Sequence, residues 1–182
     1  MKKIKELSSL SLIYSRKAEL ADLDSIVPII ESAITFLKNS GSTQWQSGYP
    51  ARNDIEVDIR QEHGYVLIID GVIAGYAAVI VGSDPNYAKI KGSWLNETDP
   101  YATIHRLAIS GKYRGLHLAN FFISDLISVF RAHGVFNFRI DTGEANQIVQ
   151  HLALAHQFKQ RGIILVEDPI NPKRLAFELN LK

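Results

Sequence analysis

The sequence predicts an α/β domain with a mixed central sheet, and three features of its 182 residues lead to this class. Segments with strand-like alternation are interspersed with segments whose apolar residues recur at helical spacing. Asp70 and Gly71 stand between two strand-like segments, which is a strong signal for a two-residue hairpin. A short basic turn after another strand leads directly into a long helical pattern. These features predict the order β-α-α-β-β-β-α-β-α-β-β, with about seven strands and about four helices.

The first half of the chain carries the patterns of one strand and two helices before the hairpin. Ile26, Ile29 and Leu37 recur on one face of the first helix, and Pro28 falls near its first turn, where proline is tolerated. The predicted elements are a flexible arm over residues 1–10, a strand soon after Leu10, a helix from Asp22 or Asp24 to about Lys38, a loop over 41–52, a short helix from Asn53 or Asp54 to about Gln61, and strands over 65–69 and 72–81.

The second half begins with a long connection and then alternates strands with helices. Leu118, Phe122 and Leu126 form the apolar stripe of its longest helix. The predicted elements are an irregular connection over 82–100, a strand over 103–109, a basic turn over 110–115, a helix over 116–131, a strand over 137–141, a helix from Asn146 to about Gln160, and strands over 163–166 and 175–180.

The bulk composition predicts one soluble cytoplasmic domain over residues 1–182. Lys and Arg total 20 against 19 acidic residues, so the net charge of +1 gives no reason to expect a nucleic-acid partner. The chain has no cysteine, which excludes disulfides, thiolate metal sites and a cysteine nucleophile. No apolar run approaches the roughly 20 residues that span a bilayer, and we expect neither a signal peptide nor a membrane partner.

The segment Ser110–Gly115 is a short turn with two cations, Lys112 and Arg114, and it feeds the N-terminus of a predicted helix. The N–H groups of the first helical turn have no intrahelical acceptors, and the positive end of the helix dipole lies there. Such a helix terminus is a natural anion site. The segment therefore predicts a phosphate-bearing cofactor as the first hypothesis.

The segment Arg114–Ala119 resembles the pyrophosphate-binding motif of the GNAT superfamily of N-acetyltransferases, which reads Arg/Gln-x-x-Gly-x-Gly/Ala. His117 replaces the middle glycine. A side chain there either weakens or reshapes the site, or adds a donor to phosphate. The resemblance covers roughly residues 12–180 and implies a GNAT-like sheet and acetyl-CoA as co-substrate. The cofactor-binding residues that it implies are Leu107, Ala108, Ile109, Lys112, Arg114, Gly115, Leu116, His117, Leu118, Ala119, Asn146 and Phe158.

A second segment, Arg139–Asn146, resembles the family pattern in which an asparagine opens a helix beside the pantetheine arm. Phe158 fits an aromatic residue that follows about a dozen positions later, with Gln157 in place of the usual glycine. Many members carry a tyrosine seven residues after the asparagine as the acid for the leaving thiolate, and this chain has Ala153 there. Because a thiol has a pKa of about 8.5, water can serve as the proton donor. The resemblance thus implies a slower or differently arranged enzyme.

His105 is the candidate general base, because it lies two residues before Leu107 on the predicted strand and an imidazole accepts protons near neutral pH. The resemblance places the thioester carbonyl against the main chain of Leu107 and Ile109. A histidine that is hydrogen-bonded across the sheet is the alternative to catalysis. By strand alternation Arg106 faces the opposite side, where it pairs with a carboxylate.

Five residues are candidates for the acceptor site. Asp141 and Glu144 follow the strand over 137–141 and either bind a cationic amine or, for Asp141, cap the next loop. Trp45, Tyr49 and Trp94 lie in long loops and form either an aromatic wall or the buried anchors of those loops. The segment from Trp45 to Pro50, with Trp94, also resembles uncharacterised bacterial members of the superfamily, which imply no particular acceptor.

The histidines follow no metal-ligand spacing, and we predict no metal. The leading hypothesis is an acetyl-CoA-dependent N-acetyltransferase that moves an acetyl group to a primary amine of a small molecule or peptide, by direct attack in a ternary complex. One alternative is a CoA-binding module with weak or no catalysis, which Ala153 and His117 both permit. Another is a site for a different phosphate ligand. Many domains of this fold pair through their C-terminal strands, so a homodimer is also open.

Overall fold

The computed structural model describes residues 11–181, so the predicted arm over residues 1–10 lies outside the described residues. Within them, eight strands form one sheet and four α-helices pack against it. The elements are β1 (Ile13–Lys17), α1 (Leu23–Asn39), α2 (Arg52–Arg60), β2 (Gly64–Ile69), β3 (Val72–Val81), β4 (Lys91–Gly92), β5 (Tyr101–Ile109), α3 (Leu118–Ala132), β6 (Asn137–Thr142), α4 (Gln147–Ala155), β7 (Lys159–Leu165) and β8 (Lys173–Asn180).

The predicted mixed sheet is confirmed, with one strand more than expected. The additional strand is β4, a two-residue segment within the connection that the sequence marks as irregular. The hairpin turn is also confirmed, because Asp70 and Gly71 both take positive φ angles, of 49° and 81°.

The predicted end of the fourth helix near Gln160 is wrong. The helix α4 ends at Ala155, and Gln157 takes a φ of 65°, a left-handed conformation that stops the helix. The chain then enters β7 at Lys159, four residues before the predicted start of that strand. A helical stripe cannot reveal this stop, because glutamine is an ordinary helix former.

Aspartates lie at the starts of the first two helices, as expected, but their side chains make different contacts from each other. The carboxylate of Asp54 accepts a hydrogen bond from the N–H of Ala51, at 2.7 Å, which ties the residue before α2 to its first turn. Asp22 precedes α1 without capping it through its side chain. Its carboxylate instead binds the guanidinium of Arg16, at 2.6 and 2.8 Å, and the N–H of Glu19.

The strand order is β1-β2-β3-β5-β6-β8-β7-β4, and β5 and β6 are the parallel neighbours in an otherwise antiparallel sheet. Their pairing is short, since it runs from Tyr101–Asn137 to Thr103–Arg139 and then stops. Beyond Thr103 the two strands diverge. The rest of β5 remains paired with β3, and the rest of β6 with β8, so the sheet opens between two supported edges.

A β-bulge lies in β5 where the strands have parted. Ala108 is opposite Tyr76 on β3, but His105 is opposite Ala78, so β5 carries one extra residue between them. Arg106, within the bulge, takes a φ of 53°. The strict alternation of side chains along the strand is interrupted at this point.

Two apolar cores lie against the sheet. One contains the stripe of α3 with Phe138 and Phe177 from the strands. The other contains the stripes of α1 and α2, including Ile26 and Ile55, with Val66 from β2. No helix in the described part of the chain is both long enough and apolar enough to cross a bilayer.

Two adjacent phenylalanines on α3 test this packing. Phe122 is fully buried in the core, whereas its neighbour Phe121 is 40% exposed. We expect Phe122→Ala to lower the free energy of unfolding by about 3–5 kcal/mol, because it removes buried contacts and leaves a cavity. Phe121→Ala is the matched control, with an expected loss of about 1 kcal/mol or less. Urea unfolding measures both, and equal losses would contradict the assigned faces of α3.

Candidate active site

A cleft of about 870 Å³ lies where β5 and β6 diverge. Both separated strands contribute walls to it, through residues 104–109 of β5 and 140–142 of β6. The turn before α3 and the first turns of α4 also line it, as do the loop between α1 and α2 and the loop before β8. The opening of the sheet thus creates a space for a ligand between the two separated strands.

The bulge brings both His105 and Arg106 into the cleft wall. Strand alternation predicted that Arg106 faces away from His105, and that prediction is wrong because the extra residue interrupts the alternation. The predicted carboxylate partner is confirmed: Nη1 of Arg106 lies 3.2 Å from Oδ1 of Asp58 on α2. The ring of Tyr49 covers the same guanidinium, with 5.2 Å between Cζ and the ring centroid.

The imidazole of His105 lies between two carboxylates. Its Nε2 is 3.8 Å from Asp84 and its Nδ1 is 3.9 Å from Asp141. Burial and the neighbouring Arg106 cation lower the pKa of His105 to about 4, although Asp84 acts in the opposite direction. The ring is therefore neutral at pH 7, and it accepts a proton less readily than an ordinary imidazole.

Tyr87 fixes one of these carboxylates. Its hydroxyl donates to Oδ1 of Asp141 at 2.6 Å, and its fully buried ring stacks on Trp94 with 5.5 Å between centroids. Burial and the Asp141 charge raise the pKa of Tyr87 well above its ordinary value, so the hydroxyl stays protonated. Burial also raises the pKa of Asp141, while the hydrogen bond from Tyr87 opposes this. Asp141 therefore belongs to the cleft wall and is not a loop cap.

The turn before α3 shows why a histidine can replace the motif glycine. Gly115 and His117 both have positive φ angles, of 83° and 56°, and His117 immediately precedes the first residue of α3. Histidine is one of the residue types enriched in the left-handed region. The backbone therefore keeps a glycine-like path at position 117. Alternating backbone conformations at a helix N-terminus form a cradle that suits an anion.

Arg114 is held in place beside this turn. Its guanidinium lies 4.1 Å from the ring centroid of Phe36 on α1, and its Nη2 donates to the carbonyl oxygen of Ser32 at 3.2 Å. On the other side of the cleft, Asn146 caps α4, because its side-chain oxygen accepts from the N–H of Val149 at 3.4 Å. The predicted start of this helix is confirmed.

The loop between α1 and α2 is tied across the cleft by Gln44. Its buried Oε1 accepts from the N–H of Gly143 at 3.0 Å, from the hydroxyl of Thr142 at 3.3 Å and from the amide of Asn146 at 3.4 Å. This role could not be predicted from the sequence, because glutamine in a loop is usually a solvated side chain.

Thirteen of the predicted site residues line the cleft, and five do not. Trp94 is buried behind Tyr87, where it also covers the Arg139 guanidinium at 3.9 Å, so its role is that of an anchor. Phe158 is buried in the core beneath α3, and Glu144 is exposed outside the cleft. The residues that line it are Trp45, Tyr49, His105, Leu107, Ala108, Ile109, Arg114, Gly115, His117, Leu118, Ala119, Asp141 and Asn146, and those that do not are Trp94, Lys112, Leu116, Glu144 and Phe158.

Residues 31–158 match the family model described as the acetyltransferase (GNAT) family. The chain belongs to the GNAT family. A crystal structure of a GNAT-family acetyltransferase from Streptococcus agalactiae 2603 is 37% identical, with a TM-score of 0.86 over 93% of this chain and 96% of that one. The predicted family and enzyme class, an acyltransferase, are confirmed. A comparison with curated proteins found no match.

More distant GNAT structures share the fold. One from Listeria monocytogenes 4b F2365 is 20% identical, with a TM-score of 0.72 over 93% of this chain and 95% of that one. The Salmonella typhimurium protein yncA, whose structure contains its cofactor acetyl-CoA, is 16% identical, with a TM-score of 0.65 over 93% of this chain and 94% of that one.

The neutral state of His105 can be measured directly. We expect its ring to titrate with a pKa of about 4 in histidine-selective NMR spectra, and His105→Gln identifies its resonances. Since the unfolded chain binds the proton at about pH 6.5, the contribution of His105 to stability is fully present above that pH and is lost as the pH falls through 4. A pKa between 6 and 7 would contradict the buried environment described here.

Proposed function

We propose that this GNAT protein transfers the acetyl group of acetyl-CoA to a primary amine by direct attack within a ternary complex. The observation that carries the proposal is the cleft between β5 and β6, which is lined both by the turn before α3 and by a neutral histidine flanked by carboxylates. Bound acetyl-CoA would supply an acetyl thioester, and residues of this chain would hold it and take up the proton of the amine.

The cradle before α3 is the proposed site of the pyrophosphate. Gly115, His117, Leu118 and Ala119 line the cleft at the helix N-terminus, where backbone N–H groups lack intrahelical acceptors. A Cβ at Gly115 would meet no atom within 4 Å, so the backbone there is open to a ligand. Arg114 adds a cation beside the cradle.

The unpaired edge of β5 is the proposed site of the thioester carbonyl. Beyond Thr103 this edge has no strand partner, so its backbone N–H groups can donate to a ligand that lies in the cleft. Leu107 and Ile109 are the residues assigned to this contact. Their main-chain N–H groups would make the contact, whereas their side chains pack against the core.

His105 is the proposed proton acceptor for the amine. The ring is neutral at pH 7, and the carboxylates of Asp84 and Asp141 flank it within 4 Å. Asp84 favours the imidazolium as it forms, against the larger opposing effects of burial and Arg106. Tyr87 keeps Asp141 in position through its hydroxyl. Because Ala153 is buried in the core, position 153 offers no acid for the thiolate, and water is the proposed proton donor there.

Substitution of His117 tests the cradle. His117→Gly keeps the left-handed conformation without strain, so we expect this variant to bind acetyl-CoA as tightly as the native chain does. At 100 times the native dissociation constant, acetyl-CoA should stabilise both proteins by about 2.7 kcal/mol. His117→Val places a β-branched residue there, where a left-handed conformation costs roughly 1–2 kcal/mol, and we expect about tenfold weaker binding. Thermal-shift titrations with acetyl-CoA, against ATP and NADPH, measure both. Identical affinities in the two variants would contradict the cradle.

Substitution of His105 separates catalysis from cofactor binding. We expect His105→Gln to lower kcat for thiol release by about 100-fold or more, because glutamine cannot accept the proton, and to leave the acetyl-CoA-dependent thermal shift unchanged. His133→Gln is the control, since the exposed His133 at the end of α3 contacts the carbonyl oxygen of Val129 away from the cleft. If kcat is unchanged while stability falls, His105 is a structural residue.

A further inference from the structure

Arg106 is a buried cation whose hydrogen bonds the protein leaves incomplete. Its side chain is 13% exposed and lines the cleft. The buried Nε and Nη1 atoms have no hydrogen-bond partner within residues 11–181. Buried donors without acceptors are costly, and the cost is larger for a charged group. These two nitrogens are closed to solvent, so the part of the side chain that faces the cleft is the remainder of the guanidinium, with Nη2.

The nearby carboxylate of Asp58 does not meet this need. Its Oδ2 accepts the hydroxyl of the buried Tyr76 at 2.9 Å, and its Oδ1 makes one contact of 3.2 Å to Arg106 that is not aligned as a hydrogen bond. Burial raises the pKa of Asp58, against the opposing effect of Arg106. Because Nε and Nη1 are buried away from the cleft, a ligand carboxylate would meet the Arg106 cation through its remaining nitrogen, Nη2.

The other two arginines of the cleft differ from Arg106. Arg114 stacks on an aromatic ring and donates to a backbone carbonyl. Arg174 donates to Asp168 at 2.9 Å and to the carbonyl oxygens of Asn171 and Lys173. Both guanidinium groups are therefore engaged by the protein itself. Of these three, Arg106 is the one whose guanidinium donates no hydrogen bond to an acceptor within residues 11–181.

The residue before Arg106, His105, lies beside negative charges instead of carrying a positive one. The carboxylates of Asp84 and Asp141 lie within 4 Å of the His105 ring, where they suit an ammonium group. The bulge presents His105 and Arg106 to the same cleft although they are neighbours in a strand. The cleft at the bulge is thus lined by carboxylates beside His105 and by the cation of the next residue, Arg106.

We propose that the acceptor is a small amino acid, with its amine at His105 and its carboxylate on Arg106. The inference rests on the proposed acetyl transfer and adds to it the chemical class of the acceptor. Trp45 and Tyr49 line the cleft beside these groups and form its apolar side, where the amino-acid side chain lies. A peptide N-terminus carries an amide in place of the carboxylate and lacks the charge that Arg106 would bind.

Matched acceptors test the role of the carboxylate. The probes are leucine with leucinamide and 3-methylbutylamine, and tryptophan with tryptophanamide and tryptamine. Calorimetry with the CoA-saturated protein measures their binding, and thiol release from acetyl-CoA measures transfer. We expect each amino acid to bind about 10- to 100-fold more tightly than its amide or amine, as expected for hydrogen bonds between charged groups.

Variants of Arg106 assign that preference. We expect Arg106→Gln to bind the amino acid and its amide equally, and Arg106→Lys to keep part of the preference. Because removal of Arg106 leaves Asp58 buried without its cation, the double variant D58N/R106Q, which removes both charges, serves as a second test. Arg60→Gln is the control, since Arg60 pairs with Glu56 on the exposed face of α2. It should behave as the native chain.

Each outcome decides the inference. A preference for amino acids that disappears in R106Q and D58N/R106Q supports it. Equal binding of acids and amides by the native chain overturns it, as does a preference that survives in both variants. If thiol release then occurs with every amine, the proposed function still stands. Conversely, amino-acid binding that depends on Arg106 without any thiol release supports the acceptor site and contradicts the proposed transfer.

Discussion

The site depends on one constraint: β5 and β6 pair in parallel over three residues and then part. Each separated strand remains hydrogen-bonded to its other neighbour, so the opening does not leave either strand unsupported. The cost is a set of backbone groups on the inner edges without strand partners, and unpaired backbone groups are strong hydrogen-bonding sites. The opening therefore supplies a space for a ligand together with the main-chain groups that bind it.

A buried charged cluster supports the base of this opening. Arg139 is the last residue of β6 that pairs with β5, and its guanidinium lies between the rings of Trp94 and Tyr101, at 3.9 and 3.7 Å from their centroids. The fully buried Glu178 on β8 lies 3.6 Å from Arg139 and 3.0 Å from Arg161, so its charge is compensated. Since Trp94 stacks on Tyr87, the cluster also supports the hydroxyl that positions Asp141.

Local patterns in the sequence predict the elements that local physics controls. The hairpin at Asp70 and Gly71, the stripe of α3 and the start of α4 at Asn146 all follow from residue types and spacing within one element. The left-handed conformation of Gln157 has no such signal in the sequence, and the predicted length of α4 was wrong for that reason. Element type was more predictable than element ends.

The turn before α3 was predictable from the sequence, whereas the surroundings of the bulge in β5 were not. The residues of the turn over 114–119 are contiguous, so a local pattern is enough to identify them. The environment of Arg106 depends on a bulge that alternation cannot reveal and on Asp58 from a distant helix. Trp94 and Phe158 show the converse, because large aromatic residues near a motif are as well suited to a core as to a ligand.

The amide of Gln44 joins the loop between α1 and α2 to the segment at the end of β6 through hydrogen bonds. One oxygen of this loop residue accepts three hydrogen bonds from the segment that links β6 to α4. Withdrawal of the loop would leave the buried N–H of Gly143 without its acceptor, a penalty of about 1–3 kcal/mol. The loop that carries Trp45 and Tyr49 is thus a fixed wall and not a hinged lid. A ligand that enters the cleft would therefore meet this wall in the position that the hydrogen bonds of Gln44 hold.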